Sequence, residues 1–225
     1  MKTTGHSAGN RRYDALILDM DGTLVDTERA LLDLWESTAR EMGHIFARDV
    51  LISTVGTTYA DTLSRMAEVY PDAPHDDIRK ETSRRFQVLR AAGRVGLRPG
   101  AMALLDAVAP ARLKLGLCTS TRRASAEATL ASVGILDRFA SIVCGDEVAA
   151  GKPDPAPYLL SAARLGVAPG ACLAVEDSPS GARSALAAGM AVAVVPDMIP
   201  VPEDVAARAT VLSGLSQVFA LLSLP

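Results

Sequence analysis

Short apolar segments recur along this chain and are separated by longer, alanine-rich stretches that are typical of helices. The short segments are apolar on both faces, as in strands that helices cover from both sides. Each stretch between the later segments is long enough for one helix, and this alternation predicts βαβ units with a parallel sheet. The predicted strands are 14–19, 113–119, 141–144, 171–177 and 191–195, and the predicted helices between the later ones are 122–133, 155–165 and 179–188.

The interval between the first and second predicted strands departs from this pattern. It spans about 90 residues without a credible buried strand, and it carries three helical faces instead. The faces are Leu31, Trp35, Ala39 and Met42; Tyr59, Leu63, Met66 and Tyr70; and Ile78, Thr82, Phe86 and Leu89. Three glycines and a proline at 93–100 then mark a hinge. We predict an α/β core of residues 1–27 and 98–225, with a helical module inserted at 28–97.

Composition and charge narrow the range of partners. The 225 residues are 49% hydrophobic and 4% aromatic, with 23 Lys and Arg against 26 Asp and Glu. A net charge of −3 and few aromatic rings argue against nucleic acid as a partner. No apolar stretch approaches a membrane span, and the polar start lacks the apolar part of a signal peptide, so we expect a cytoplasmic protein without a membrane partner. The three cysteines lack metal-ligand spacing, and we expect them in the core.

Polar side chains stand at the carboxyl ends of four predicted strands, where ligands bind in open parallel sheets. They are Asp19 and Asp21 after the first strand, Thr119 and Ser120 after the second, Lys152 in the loop after the third, and Glu176 and Asp177 at the end of the fourth. Carboxylates, a hydroxyl and an ammonium at one edge suit a hard metal ion and a phosphoryl group. The sequence therefore predicts a site for a metal ion and a phosphoryl group at this edge.

Each of these elements also has a purely structural interpretation. The Asp21–Gly22 pair is a common turn, and Thr119 can cap the helix that follows it. The segment 177–179 has the form of a helix N-cap followed by proline at the first helical position. Lys152 alone can be one more solvated lysine. The joint occurrence of all four, in order and at strand ends, favours the functional interpretation.

The segment 19–28, which reads DMDGTLVDTE, resembles the first signature of the haloacid dehalogenase superfamily. Thr119, Lys152 and the pair Glu176–Asp177 are similar to its second, third and fourth signatures in order and approximate spacing. The resemblance covers nearly the whole chain and points to the helical-cap subfamily I, near β-phosphoglucomutases and phosphoglycolate phosphatases. It implies a doubly wound, Rossmann-like parallel sheet core with an inserted all-helical cap.

The resemblance also implies catalytic roles. Asp19 would be the nucleophile that forms an aspartyl-phosphate, and Asp21 the general acid and then the base. Mg²⁺ would be held by the carboxylates of Asp19 and Asp177 and the main-chain carbonyl of Asp21, with Glu176 as a further ligand or as a contact through water. A small-molecule phosphate ester is then the expected partner, and the protein is expected to be a monomer or a weak homodimer.

The remaining signature residues would bind the phosphate. Thr119 and Ser120 would hydrogen-bond phosphoryl oxygens, and Lys152 would balance the charge of nucleophile and phosphate. Gly22 allows the sharp turn that brings main-chain amides to the phosphate.

Within the superfamily, the resemblance favours a phosphatase. Dehalogenases and phosphonatase-like members lack an aspartate at the place of Asp21, and the second group uses a cap lysine, for which this module offers only Lys80. The alternative is a β-phosphoglucomutase-like phosphosugar mutase, but such mutases carry a histidine where this chain has Leu31 and an arginine in the loop 57–59. Alternatives of another class are a receiver-like phospho-switch and an inactive binding module.

Substrate selectivity is expected to come from the helical module, because the core residues contact only the phosphate. Trp35, Thr58 and Tyr59 are the candidate substrate-binding residues, although helical spacing also fits Trp35 and Tyr59 to the module's own core. Seven basic residues against one acid at 79–98 either attract an anionic substrate or form a solvated helix face.

Overall fold

The computed structural model describes residues 13–56, 59–111 and 113–222, apart from the side chains of 59–61. Its six strands are β1 (Ala15–Leu18), β2 (Lys114–Cys118), β3 (Ser141–Val143), β4 (Cys172–Glu176), β5 (Ala191–Val194) and β6 (Thr210–Val211). They form one parallel sheet in the order β3-β2-β1-β4-β5-β6. The chain builds this sheet outward from β1, first to one side and then to the other, which is the doubly wound arrangement.

Strand β1 occupies the centre of the sheet and is buried along its whole length. Its last residue, Leu18, pairs with Leu117 of β2 and Val175 of β4, so the carboxyl ends of these three strands are level. Five strands lie where the apolar segments predict them. The sixth, β6, is two exposed residues at the edge of the sheet, and so short and solvated a strand has no apolar pattern to predict it.

The first four helices follow β1 and form the inserted module: α1 (Thr27–Glu41), α2 (Arg48–Ile52), α3 (Tyr59–Val69) and α4 (His75–Ala91). They share an apolar core of their own, which contains Leu32, Ala39, Phe46, Leu51, Met66 and Ile78. The helical spacing predicts Met42 on the same buried face as Leu31, Trp35 and Ala39, and this prediction is wrong. Met42 follows the last residue of α1 and is 39% exposed. Further along α4, Phe86 and Leu89 pack against the apolar core of the sheet, so α4 joins the helical module to the rest of the protein.

The remaining helices cover both faces of the sheet. They are α5 (Ala101–Val108), α6 (Arg123–Ser132), α7 (Ala156–Leu165), α8 (Pro179–Ala187), α9 (Glu203–Ala206) and α10 (Val218–Leu222). Helices α5, α6 and α10 cover the face that contains Leu16 and Leu18, and α7, α8 and α9 cover the face that contains Ala15 and Ile17. The predicted helices agree with α6, α7 and α8 to within one residue at each end. The three cysteines are buried and unpaired, as expected.

The two segments that connect the helical module to the core run side by side. The amide of Asp26 donates to the carbonyl of Gly96 at 2.9 Å, and the amide of Arg98 donates to the carbonyl of Leu24 at 2.8 Å. Val25 and Leu97 form an antiparallel bridge between these bonds. The chain therefore leaves the core and returns to it at one point.

The loop after β5 adds a second link between module and core. Asp197, whose side chain is fully buried, forms ion pairs with Arg29 at the start of α1 and with Arg98 at 2.6 Å. The next residue, Met198, packs against the apolar core of the helical module. Within the described residues, no helix is long and apolar enough to cross a membrane.

Candidate active site

The level ends of β1, β2 and β4 bring the sequence-predicted polar residues together. Asp19 directly follows β1, and its amide donates to the carbonyl of Val175 in β4 at 3.0 Å. Thr119 follows β2, and Glu176 is the last residue of β4. Lys152 reaches the same edge from the loop before α7 and is 7% exposed. Residues more than 150 positions apart in the chain thus face one another because parallel strands end at one edge of the sheet.

Lys152 is the centre of this group. Its Nζ donates to Asp19 Oδ1 at 2.7 Å, to Glu176 Oε1 at 2.6 Å and to the carbonyl of Cys118 at 2.9 Å. The hydroxyl of Tyr158 donates to the same Glu176 oxygen at 2.6 Å. Burial alone would lower the pKa of Lys152, but the carboxylates of Asp19 and Glu176 raise it well above its ordinary value. The lysine therefore stays charged and fixed between two carboxylates.

The negative charges at this edge exceed the positive ones. Burial raises the pKa of Asp19 to about 8 even though the Lys152 ammonium opposes the rise. Burial, together with the charges of Asp21 and Asp19, raises the pKa of Glu28 to about 9. Burial and the neighbouring acids also raise the pKa of Asp177 well above its ordinary value. A cation bound among these groups would oppose these rises in pKa, because a nearby positive charge favours the ionised form of a carboxyl group.

The residues present fit a divalent metal ion. Asp19, Glu176 and Asp177 are buried, and each offers an oxygen within 4.8 Å of the oxygens of the other two. Among the described residues, the only side-chain cation that forms an ion pair with any of them is Lys152. A donor set made only of oxygen suits Mg²⁺ better than a softer metal. The main-chain carbonyl of Asp21, which the resemblance adds to this set, stays a prediction.

The carboxylate of Asp21 accepts hydrogen bonds from three hydroxyl groups. Thr27 donates to Asp21 Oδ1 at 2.7 Å, and Thr119 and Thr121 donate to Asp21 Oδ2 at 3.1 and 2.8 Å. Thr119 also accepts a hydrogen bond from the Thr121 amide at 3.0 Å. The two aspartates of the first signature therefore have different partners, an ammonium for Asp19 and hydroxyls for Asp21.

Gly22 is fixed by its neighbours. Its φ of +78° is a conformation that side chains disfavour, and an added Cβ would lie 2.3 Å from Asp177 Oδ2. Thr23, the next residue, donates to Asp177 Oδ1 at 3.1 Å. The turn after β1 thereby sets the position of the Asp177 carboxylate.

A cavity of about 250 Å³ opens above these groups. It is lined by Asp19, Asp21, Glu28, Leu31, Gly56, Ser120, Thr121, Lys152, Asp177 and Ser178. Ser120 borders this space, and its carbonyl packs so closely on Gly145 that a Cβ there would lie 2.1 Å away. A phosphoryl group in this cavity would contact Asp19, Lys152 and Asp21 at the same time.

A second cavity of about 360 Å³, here called the cap chamber, adjoins the first inside the helical module. It is lined by Glu28, Leu31, Leu32, Trp35, Leu51, Thr54, Val55, Gly56, Thr62, Arg79, Thr82 and Ser83. Glu28, Leu31 and Gly56 line both cavities, so the two spaces meet there. Trp35 lines the chamber and also packs against the module's core. Thr58 and the Tyr59 side chain lie outside the described residues.

Several contacts of the site were missed by sequence reasoning. Thr27, Thr121 and Tyr158 hold Asp21 and Glu176, and no local pattern marks them as polar partners. Ser178 does cap α8, as its sequence indicates, by accepting from the Gly181 amide at 3.1 Å. It also donates to Glu176 Oε2 at 3.2 Å, so this one residue both caps α8 and contacts an acid of the site.

Comparison with known proteins gives matches along most of the chain. The family model described as haloacid dehalogenase-like hydrolase matches residues 13–189. The phosphoglycolate phosphatase of Rhodospirillum rubrum is 33% identical over 190 residues, which are 80% of this chain and 78% of that protein. The β-phosphoglucomutase of Bacillus subtilis is 32% identical over 183 residues, which are 78% of this chain and 80% of that protein.

A solved structure extends the likeness to three dimensions. The crystal structure of a CbbY variant from Rhodobacter sphaeroides in complex with xylulose-1,5-bisphosphate superimposes with a TM-score of 0.77 at 28% identity. The alignment covers 93% of this chain and 99% of that one. Taken with the acids and the lysine that meet at one edge of the sheet, these matches show that the chain belongs to the haloacid dehalogenase-like hydrolase family.

Proposed function

We propose that this protein is a Mg²⁺-dependent phosphatase that hydrolyses a small-molecule phosphate monoester through an aspartyl-phosphate intermediate. The observation that carries the proposal is the pairing of Asp19 with Lys152 beside two further acids, while Asp21 is held by hydroxyls. In this proposal, residues 1–27 and 98–225 form the catalytic core and 28–97 the cap.

In the first step, a carboxylate oxygen of Asp19 attacks phosphorus and the phosphorus–oxygen bond of the ester breaks. Asp21 gives its proton to the leaving alkoxide. Lys152 keeps Asp19 oriented and offsets the charge on the entering phosphoryl group.

In the second step, Asp21 takes a proton from water, and that water attacks phosphorus to release phosphate and regenerate Asp19. One residue thus acts as acid and then as base, which returns the site to its starting state. When bound by Asp19, Glu176 and Asp177, Mg²⁺ would supply electrostatic stabilisation of the phosphoryl oxygens.

A mutase is the second candidate, because one relative is a β-phosphoglucomutase. A mutase has to protect its aspartyl-phosphate from water until the sugar has turned around. The chain has Leu31 where such a mutase is expected to carry a histidine. Leu31 borders both cavities, but its side chain has no polar group that could form a hydrogen bond with Asp21. The phosphatase is therefore favoured.

Hydrolysis of para-nitrophenyl phosphate with Mg²⁺ tests the proposal. We expect Asp19→Asn to lower turnover about 1,000-fold or more, because the amide cannot attack phosphorus. Asp14→Asn is the matched control, since Asp14 is exposed at the opposite end of β1. Retention of more than about a tenth of the activity by Asp19→Asn would contradict the assignment. A receiver-like switch or an inactive module would show no turnover in the wild type.

The mutase alternative has its own test. We expect β-glucose 1-phosphate, if it is accepted, to release one phosphate per sugar without a bisphosphate activator. Formation of glucose 6-phosphate without matching free phosphate would instead establish a mutase.

A further inference from the structure

Tyr158 carries a polar group into the apolar core beneath the site. It lies on α7, is fully buried, and packs in the cluster that contains Ala15, Ile17 and Cys118. A buried hydroxyl costs free energy unless it forms a hydrogen bond, and phenylalanine would bury the same ring without that cost. The hydroxyl is therefore not needed for packing, and its partner indicates what it does.

That partner is the acid at the end of β4. Tyr158 donates to Glu176 Oε1 at 2.6 Å, and Lys152 donates to the same oxygen at 2.6 Å. A tyrosine hydroxyl keeps its proton at neutral pH, so it acts on this carboxylate as a neutral donor. One oxygen of Glu176 is thus shared between the phenol and the lysine ammonium.

The ring of Tyr158 also contacts the lysine. Lys152 Nζ lies over this ring, 5.3 Å from its centroid, a distance at which an aromatic face attracts a cation. Lys152 stands in the loop before α7, and loops are more mobile than the elements that they connect. Tyr158 stands on a helix and Glu176 on a strand, so together they give the loop lysine a rigid support.

Two further contacts fix the carboxylate of Glu176. Ser178 donates to Glu176 Oε2 at 3.2 Å, so both carboxylate oxygens have partners. On the side of α8 the carboxylate lies against Gly181, where an added Cβ would overlap it. Because the carboxylate is held from these sides, the balance between its two Oε1 donors sets the position of the ammonium.

This balance affects the nucleophile candidate. Lys152 divides its attraction between Asp19 Oδ1 at 2.7 Å and Glu176 Oε1 at 2.6 Å. The hydrogen bond from Tyr158 offsets part of the negative charge of Glu176, which leaves more of that attraction for Asp19 and for an entering phosphoryl group. Without this hydroxyl, Glu176 would draw the ammonium away from Asp19.

We propose that Tyr158 is a positioning residue that holds the Glu176–Lys152 pair so that the ammonium stays on Asp19. This inference rests on the proposed phosphatase activity and adds to it a residue that acts through the lysine. Tyr158 is not among the residues that line the cavity above the site, so it acts without contacting the phosphate.

Removal of the hydroxyl alone tests the inference, with the full-length protein, Mg²⁺ and para-nitrophenyl phosphate. Tyr158→Phe should lower kcat about 10-fold and change KM by less than about 2-fold, because it disturbs the nucleophile more than the binding of the ester. Tyr13→Phe is the matched control, since Tyr13 is also a buried tyrosine but precedes β1, at the edge of the sheet opposite the site. It should leave kcat and KM unchanged.

The outcomes separate this inference from the proposed function. If the wild type is active and Tyr158→Phe has a kcat within about 2-fold of it, or alters KM alone, the inference falls and the phosphatase proposal stands. A wild type without turnover overturns both.

A double-mutant cycle distinguishes positioning from a merely structural role. Glu176→Gln removes the charge through which Tyr158 acts, so adding Tyr158→Phe to it should lower kcat by less than about 2-fold more. A structural hydroxyl would lower kcat by the same factor in both backgrounds, and that result would overturn the inference. Thermal unfolding of each variant sets a temperature at which all of them are folded, and the kinetics are measured below it.

Discussion

Replacing Lys152 by methionine tests the charge balance on which the site depends. Lys152→Met keeps the length and the apolar stem of the side chain but removes the ammonium that contacts Asp19 and Glu176. It leaves two buried carboxyl groups without a counter-charge and the Cys118 carbonyl without this donor. Stability is the sharper readout, because it needs no substrate.

The expected loss follows from the burial of the group. Lys152 donates three hydrogen bonds of 2.6 to 2.9 Å, and the side chains of Lys152, Asp19 and Glu176 are 5%, 8% and 0% exposed. Removing one partner of a buried ion pair costs about 3–5 kcal/mol. Protonation of the remaining carboxyls lessens the cost, since burial already raises the pKa of Asp19 to about 8. We expect a loss of about 3 kcal/mol at pH 8 without metal.

The loss should become smaller as the pH falls. Without Lys152, nothing opposes the rise that burial causes in the pKa of Asp19, whereas the unfolded chain has the ordinary value of 3.8. Between these values the folded protein binds more protons than the unfolded chain, so its free energy of unfolding decreases as the pH rises. The slope reaches about 1.4 kcal/mol per pH unit for each extra proton. The variant is therefore more stable at pH 6 than at pH 8, with a steeper slope than the wild type.

Urea denaturation in EDTA at pH 6, 7 and 8 measures both quantities. Lys114→Met is the control, because Lys114 is an exposed lysine that donates to the Leu165 carbonyl at 2.6 Å; it should cost about 1 kcal/mol or less and leave the slope unchanged. Adding Glu176→Gln to Lys152→Met removes one opposing charge and should recover at least about 1 kcal/mol. A loss below about 1 kcal/mol at pH 8, or a slope equal to that of the wild type, refutes the reasoning.

Three further predictions follow from the geometry. Exhaustive EDTA treatment should abolish phosphatase activity, and Mg²⁺ should restore it. Full activity after chelation would show that Asp19, Glu176 and Asp177 do not hold a metal ion that catalysis needs. Gly22→Ala should lower kcat about 100-fold or more, because its Cβ would meet Asp177, whereas Gly43→Ala, with φ of +85° but open space around it, should retain activity. In urea denaturation, Asp197→Asn should lower the free energy of unfolding by about 2 kcal/mol, because it removes a buried ion pair. Asp204→Asn breaks an exposed ion pair and should lower it by less than about 1 kcal/mol. Equal losses would show that burial does not strengthen the Asp197 pair.

Five of the six strands can be predicted from the sequence, because burial on both faces of the sheet requires apolar residues along a strand. The same reasoning fails for β6 and for α2, which are two and five residues long. Elements this short contain too few positions for a period to appear. The insertion was visible because no apolar strand interrupts it, although the pattern does not show that the end of α4 packs on the core.

The strand-end rule anticipates where Asp19, Thr119 and Glu176 lie, because it depends only on the parallel order of strands. It does not anticipate contacts between loops. The ion pair of Asp197 with Arg29 joins positions 168 residues apart, and Thr121 reaches Asp21 over 100 residues. Local propensity carries no information about such pairs. The role of the basic residues at 79–98 could not be predicted for a related reason. It depends on which acidic side chains the fold places beside them.

The side-by-side connectors at Val25 and Leu97 have an evolutionary consequence. Because the chain departs and returns through one short bridge, this bridge and its two flanking hydrogen bonds hold the ends of the inserted segment together. The entropy of closing such a loop grows only with the logarithm of its length, about 0.6 kcal/mol for each doubling. Segments of different size and sequence can therefore be exchanged at this point without shifting the register of a single strand. Under the proposed function, exchange of this segment would change the alcohol that is recognised and leave the chemistry at the sheet edge in place.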